Sequence, residues 1–335
     1  MGIHLLQTFI SSLNDRSIKE QHLQHFNGKT ISVDISIYLY RFKEMGNLLE
    51  NIYLMCSIFR YYNITAIFIF DGKPSNIKNE TAQKRRMEKN NARKEFSNLK
   101  KEFTKARYED KKKIETQMDI LRKKFITITK DDIKQTQNLL KSYGMTYVTA
   151  KREADELCGA LNRQIYACLT EDTDIMVFGC TRIFRYFSLM KHTVVVYNMT
   201  QIRHNLQMSL SEFQELCVCS GNDYVKSNKN IFCYHKLFKQ YKRSPRPGFL
   251  DWLLEKRQIS LQTYHQYREI YELYTFQKYD PFEDVPYTIF KNKTVNKPEL
   301  MKVLKSINFI FNHLFWSHRL FSTRYWIHIF IAWKK

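Results

Sequence analysis

The segment Ala167–Gly179, ACLTEDTDIMVFG, constrains this chain most: a short apolar run ends in two aspartates, Asp172 and Asp174, one residue apart. In an extended segment residues i and i+2 point to the same side, so both carboxylates should leave the strand end together. Two like charges held that close raise each other's pKa, and a fold that keeps them usually supplies a cation. The pair is a candidate hard-metal site.

The same construction occurs twice earlier. Thr30–Val33 stops at Asp34 and Ala66–Phe70 stops at Asp71, each an apolar run rich in β-branched or aromatic residues. Such runs read as buried parallel strands of an α/β sheet, whose ligands bind beyond the carboxyl ends of the strands. Three acid-tipped strands would gather Asp34, Asp71, Asp172 and Asp174 at one edge.

Between and after these strands the pattern is mostly helical. Residues 4–26 read as one or two short helices, and Arg41–Tyr62 as an amphipathic helix completing a βαβ unit. GKPS, after Asp71, is a turn. Residues 78–124 then carry 17 Lys or Arg against 8 Asp or Glu, with few large apolar residues. A segment like this cannot bury its own core and reads as long, exposed, basic helices; a plain solvated hairpin or a disordered loop is the alternative. Residues 131–143 form another helix closed by Gly144, Thr146–Ala150 a short strand, and KREADELCGALNRQ a helix with Glu153 and Asp155 in its first turn. Acids there ordinarily complement the helix dipole. The acid-tipped strand that follows turns them into candidate ligands. Further strands are expected at Phe184–Phe187 and Thr193–Tyr197. A helix over Ser211–Ser220 runs into GNDY, which sets Asp223 in a turn.

A formal charge of +21 favours a polyanionic partner, nucleic acid or an anionic membrane face. The seven cysteines are scattered and lack CxxC pairs, which points to free thiols in a reducing, intracellular compartment. The start MGIHLLQTFI lacks a basic n-region and a small-residue cleavage site, so no secretory signal is expected; Leu6 speaks against myristoylation at Gly2. Tyr325–Trp333 is too short an apolar run to span a bilayer.

The inventory is thus Asp34, Asp71, Glu153, Asp155, Asp172, Asp174 and Asp223. Carboxylates without His or Cys select hard ions, Mg²⁺ or Mn²⁺, over zinc. Two such ions, about 3.5–4 Å apart, could flank an in-line attack on a phosphodiester, while lysines and arginines hold the substrate phosphates.

These residues sit in stretches that resemble the flap endonucleases of the structure-specific 5′ nuclease superfamily, the RAD2-like or xeroderma pigmentosum group G nucleases. The matching stretches are MGIHLLQ, ISVDISIYLY, FIFDGKP, EADELCGAL, LTEDTDIMVFG and LCVCSGNDY, spread over residues 1 to about 226. The resemblance implies a PIN-like parallel sheet flanked by helices, with a basic helical arch insert and a C-terminal helical part. It implies two Mg²⁺ ions, with Mn²⁺ able to substitute, on the seven acids above. It also places two catalytic basic residues at Lys78 and Arg85 and a base-stacking aromatic at Tyr40. Lys84 and Arg86 would join the DNA contacts of the arch through which a free 5′ end threads.

Departures from the pattern are specific. Where the family has a helix-two-turn-helix with glycines, this chain has VKSNKNIFCYHKLF, with Asn230 and Phe232 at the glycine positions. That element reads as degenerate, with duplex binding passed to basic residues such as Lys226 and Lys229. The insert between Asp71 and Glu153 is longer than is usual for the family. The C-terminus lacks the motif that docks on a sliding clamp; QMSLSEF, at 207–213, is a partial match that reads as a core-facing helix. The resulting division is 1–100 for the N-terminal nuclease region with the start of the arch, 101–130 for the rest of the arch, 131–225 for the internal nuclease region and 226–335 for the helical duplex-binding region and tail. The implied partner is DNA with a 5′ flap, nick or gap, bound by a monomer away from membranes, in a nucleus or at a viral replication site. The expected activity is that of a structure-specific 5′ flap endonuclease with 5′–3′ exonuclease action in DNA replication, repair or recombination; a mainly 5′–3′ exonuclease and a non-catalytic junction-binding scaffold are the alternatives.

Overall fold

A computed structural model describes residues 2–13, 16–73, 79–105, 107–243, 248–277, 281, 290–307 and 309. In chain order the described elements are α1 (Leu6–Ser12), β1 (Ile18–His22), β2 (Thr30–Asp34), α2 (Ser36–Glu44), α3 (Leu48–Tyr61), β3 (Thr65–Phe70), α4 (Asn79–Lys105), α5 (Tyr108–Lys124), α6 (Lys130–Ser142), β4 (Thr146–Thr149), α7 (Ala154–Leu161), β5 (Ala167–Leu169), β6 (Arg182–Ser188), β7 (Thr193–Asn198), α8 (Met199–Asn205), α9 (Leu210–Cys219), α10 (Ile231–Tyr241), α11 (Phe249–Glu255), α12 (Leu261–Tyr274) and α13 (Lys297–Ser306). The strands form a seven-stranded sheet in the order β1-β7-β6-β5-β2-β3-β4.

From β6 to β4 neighbouring strands run parallel, so β2, β3 and β5 end on the same edge. β7 and β1 join antiparallel at the far side, making the sheet mixed rather than wholly parallel. The central strands are buried along almost their whole length, which is why their sequences are continuous apolar runs instead of alternating ones. One face is covered by α2, α3, α6 and α13, the other by α1 and α7 to α12. Among the described residues no helix is long and apolar enough to cross a membrane. All seven cysteines are free, and only Cys233 is exposed.

Several local expectations change. Residues 18–22 form the edge strand β1 instead of a helix; IKEQH carries no strand-like apolar pattern, and backbone pairing with β7 decides its state. The helix expected over 41–62 is two helices, broken at Gly46, which takes φ +80, a conformation that favours glycine. β5 stops at Leu169, and Asp174 opens a short 3-10 turn, Asp174–Met176. Asp172 and Asp174 are therefore turn residues and not successive same-side residues of a strand. α7 starts at Ala154 with Glu153 as its N-cap, leaving Lys151 and Arg152 outside the helix.

The polar insert is ordered as the hairpin of α4 and α5. Phe96 packs edge-on against Phe125 with ring centroids 5.4 Å apart, and the Arg122 and Arg93 guanidinium groups lie over these rings at 5.6 and 5.8 Å. Few contacts of this kind suffice because arginine stacks on aromatic faces while staying hydrated. Past the hairpin, α6 begins with a capping box in which Thr129 and Asp132 satisfy each other's backbone N–H groups.

The C-terminal described segment returns to the sheet. Lys293 N–H donates to the Gly144 carbonyl at 2.8 Å, Asn296 N–H to Ser142 at 2.9 Å, and Arg60 Nη2 to the Lys293 carbonyl at 2.7 Å. Leu300 and Leu304 of α13 then enter the core with α3 and α6, on the opposite face from α9 to α12. Residues 308 and 310–335 of the expected tail lie outside the described residues.

Candidate metal centre and nucleic-acid interface

Asp34 is the last residue of β2 and pairs with Ile69, so Asp71 lies just past the same level on the neighbouring strand. The Asp34 side chain is only 8% exposed. Its Oδ1 accepts the Ser36 N–H at 3.1 Å and its Oδ2 the Thr170 hydroxyl at 2.9 Å. Asp71 Oδ2 accepts the Ser36 hydroxyl at 2.5 Å, and Oδ1 accepts the Ala154 N–H at 2.9 Å. That last bond brings the start of α7, with Glu153 and Asp155 on either side of Ala154, against the end of β3. Gly72 makes the approach possible: a β-carbon there would stand 1.9 Å from the Ala150 carbonyl oxygen.

The loop after β5 is tied to the same point. The Thr170 hydroxyl that donates to Asp34 also accepts the Asp172 N–H at 3.1 Å, and Asp172 Oδ1 accepts the Asp174 N–H at 3.1 Å. Asp155 and Asp174 are buried, at 7% and 1% exposure. Gly2 covers the loop from outside, in a backbone conformation of φ +93.

The electrostatics report the same convergence. The Asp34 carboxyl is pushed up to about 7, first by burial, then by the charge of Asp71, with a smaller push from Asp172; the Thr170 and Ser36 hydrogen bonds oppose this. The buried Tyr274 phenol is raised by burial first, and also by the charges of Asp174 and Asp155. Asp34, Asp71, Asp155, Asp172 and Asp174 thus share one neighbourhood at the carboxyl edge, with Glu153 beside it. Asp223 is linked to it less directly. Its half-buried loop is tied to the N-terminal segment by the His4 N–H, which donates to the Gly221 carbonyl at 3.0 Å. Tyr224 next to it packs against Tyr274 with centroids 6.0 Å apart.

Among the described residues, no three His, Cys, Asp or Glu side chains stand in ready-made metal-holding geometry. The donor set nevertheless fits an oxygen-preferring divalent ion. It consists of carboxylates at a strand edge, and burial, with the Asp71 charge adding to it, pushes Asp34 toward neutrality, which a divalent cation reverses. The cysteines near these acids, Cys158, Cys180 and Cys217, are buried thiols whose pKa burial raises, which disfavours the thiolate that zinc prefers.

The basic and aromatic candidates are placed in part. Lys78 lies outside the described residues, as do the side chains of Lys84 and Arg85 on α4. Arg86 is exposed on α4. Tyr40 is 43% exposed on α2, with the Lys89 ammonium of α4 5.2 Å from its ring centre. Lys43 pairs with Asp132, and Lys123 with Glu44 at 3.2 Å, so the foot of the hairpin rests on the C-terminal half of α2, the helix that follows Asp34. Lys226 is exposed in the loop between α9 and α10; Lys229 there donates to Gln258 at 3.0 Å. Asn230 caps α10 by accepting the Cys233 N–H at 3.1 Å, a helix-starting role that glycine cannot fill with a side chain. Phe213 of QMSLSEF is fully buried. Sequence reasoning missed Ser36, Thr170 and Gly2. The first two are ordinary hydroxyl residues near an acid, and nothing marks them before the strands are aligned.

Comparison with known proteins identifies the family and the fold. Residues 1–92 match the XPG N-terminal domain and residues 144–223 the XPG I-region. Flap endonuclease 1 of Drosophila persimilis is 33% identical over 251 residues, covering 69% of this chain and 62% of that protein. The chain spans less than two thirds of the length of such curated relatives. The catalytic core of Rad2 in complex with DNA substrate superposes with a TM-score of 0.62 at 22% identity, over 91% of this chain and 95% of that one. The flap endonuclease-1 of Methanococcus jannaschii gives 0.59 at 18% identity, over 88% and 92%. The fold is that of these nucleases. With its N-terminal and internal regions both matched, the chain belongs to the XPG family.

Proposed function

We propose that this protein is a structure-specific 5′ flap endonuclease with 5′–3′ exonuclease activity, hydrolysing DNA phosphodiesters where a duplex meets a 5′ single strand. The observation that carries the reading is that two residues, Ser36 and Thr170, tie together the acids at the ends of three strands. Ser36 contacts Asp34 and Asp71, and Thr170 contacts Asp34 and the Asp172 backbone. Family membership and the positive charge of the chain support it.

In this reading Asp34, Asp71, Glu153, Asp155, Asp172, Asp174 and Asp223 would hold two Mg²⁺ ions. Such ions activate water and stabilise the leaving oxygen of an in-line displacement. The hydroxyls of Ser36 and Thr170 fix carboxylate orientation, and buried Asp34 and Asp174 keep bulk water from the inner wall of the site. Lys78 and Arg85 are assigned to the transition-state charge, Tyr40 to stacking on a base, and Lys84, Arg86, Lys226 and Lys229 to phosphates. The partner is DNA with a 5′ flap, nick or gap, handled by a monomer in a nucleus or at a viral replication site. The foot of the hairpin rests on the C-terminal half of α2, the helix that starts next to Asp34, and a threaded single strand would pass beneath it.

The test is a panel of flap, nick, gap, bubble and four-way junction DNA in Mg²⁺, with product lengths read on one flap substrate. A 5′ flap is expected to be cut near its junction and to stay whole in EDTA; single-nucleotide products alone would identify an exonuclease. Asp172→Ala and Asp71→Ala should abolish cutting and leave binding within a few-fold. A junction held tightly in Ca²⁺ yet uncut in Mg²⁺ and Mn²⁺ would mark a binding scaffold.

A further inference from the structure

Glu171, the residue before Asp172, is held by an arginine on the next strand. Arg185 of β6 is 5% exposed; its Nη2 donates to the Glu171 carbonyl at 2.6 Å, and its Nε lies 3.7 Å from Glu171 Oε2. Its Nη1 donates to Gln7 Oε1, and Gln7 Nε2 donates to the Tyr197 hydroxyl at 2.6 Å. The other carboxylate oxygen of Glu171 accepts the Tyr186 N–H at 2.7 Å. The ladder of β6 and β7 is irregular between Arg185 and Ser188, and Tyr186 takes φ +54, a costly conformation for an aromatic residue. One bent strand segment and helix α1 therefore converge on the backbone next to a carboxylate of the site.

A buried ion pair of this kind adds little net stability over well-packed apolar residues, because both charges lose hydration. What it supplies is a fixed geometry. The guanidinium hydrogen-bonds the Glu171 carbonyl and pairs electrostatically with its carboxylate across 3.7 Å, so the backbone that carries Asp172 cannot rotate without losing the carbonyl bond and weakening the ion pair. We propose that Arg185 and Glu171 are positioning residues for the carboxylate loop 170–174, and that their clamp sets the divalent-ion affinity of the site. The inference rests on the metal-dependent reading above. Their action runs through the Glu171 backbone and thereby through Asp172. Partners that orient metal ligands change metal affinity or activity about 10–100-fold when removed.

Arg185→Lys keeps the charge and loses the fork, and Glu171→Gln keeps the acceptor for Tyr186 and loses the pair. Mn²⁺ binding to the full chain is measured by calorimetry without DNA, flap-DNA affinity in EDTA, and the Mg²⁺ concentration at half-maximal cleavage. Both variants are expected to bind Mn²⁺ about 10–100-fold more weakly and to need correspondingly more Mg²⁺, with DNA affinity unchanged. Glu171→Gln, nearly isosteric, decides the matter alone if Arg185→Lys does not fold. Variants that melt lower but bind Mn²⁺ within twofold of wild type would reduce the clamp to a structural ion pair and overturn the proposal. A wild-type chain that binds no divalent ion would overturn the metal-dependent reading itself, which separates the two failures.

Discussion

Gly2 and Asp172 are in such close contact that a β-carbon on Gly2 would stand 2.7 Å from Asp172 Oδ1. The same atom would meet Thr173 Oγ1 at 2.3 Å and Asp174 Oδ1 at 2.8 Å. The amino-terminal end of the chain is thus a wall of the acidic site, and only hydrogen fits on its inner side.

Gly2→Ala is accordingly expected to displace the loop of Asp172 and Asp174. The φ of +93 adds strain for any residue with a β-carbon. Misplacement of reacting groups by about 1 Å can cost about 100-fold in rate. Steady-state cleavage of a 5′ flap should fall by that order while the melting temperature stays within a few degrees. Unchanged turnover would show that the loop relaxes freely.

Asp34→Asn is expected to stabilise the metal-free protein in a pH-dependent way. Burial and the Asp71 charge raise the Asp34 carboxyl from 3.8 to about 7, so the native state binds a proton that the unfolded chain has released between those values. Stability therefore falls as pH rises through this window and levels off above it, a cost of about 2–4 kcal/mol. His192 and His235, whose pKa values burial lowers, act the other way, costing stability as pH falls below 6.5. The difference between wild type and variant cancels them. Urea denaturation in EDTA from pH 4 to 8 should show a gap that opens with pH and closes when Mg²⁺ is added, and Asp34→Asn should be inactive. A gap independent of pH would contradict the reading.

Phe125→Ala removes the aromatic contact at the base of the basic hairpin. The pair with Phe96 is worth about 0.5–1.5 kcal/mol, enough to loosen a partly exposed two-helix element without unfolding the sheet. Limited trypsin digestion should cut within residues 79–127 several-fold faster, with little change in the global melting temperature. Equal digestion rates would mean that the hairpin is held elsewhere.

Glu215→Ala tests how the C-terminal helices are fastened. The Glu215 carboxylate, 5% exposed on α9, accepts the Phe249 and Leu250 N–H groups at 2.6 and 3.3 Å and so caps the start of α11. Two backbone donors then lose a charged acceptor, a loss of about 2–4 kcal/mol. Thermal denaturation should register it, and binding of blunt duplex DNA should weaken together with it. A melting temperature unchanged within a degree would refute the tie.

Much of the site is legible in the linear chain because buried parallel strands are written as continuous apolar runs and their carboxyl ends as the next polar residue. Asp34 and Asp71 follow from that rule alone, and the basic hairpin follows from a long polar stretch with helical spacing. Asp172 and Asp174 are found by the same logic although its geometry fails: β5 ends at Leu169, and a turn delivers the two acids. Strand β1 leaves no such trace, since IKEQH owes its state to the partner β7 and not to its own residues.

The chain by itself determines which acids exist, which strands they terminate and that a positive insert stands between them, because local periodicity and charge are properties of neighbouring residues. Only the tertiary structure decides that Ser36 and Thr170 bind these acids together, that Gly2 closes the site and that Arg185 grips Glu171. The hydrogen bonds among them join residues up to 136 positions apart. Their selection depends on strand order and register, which no local pattern encodes.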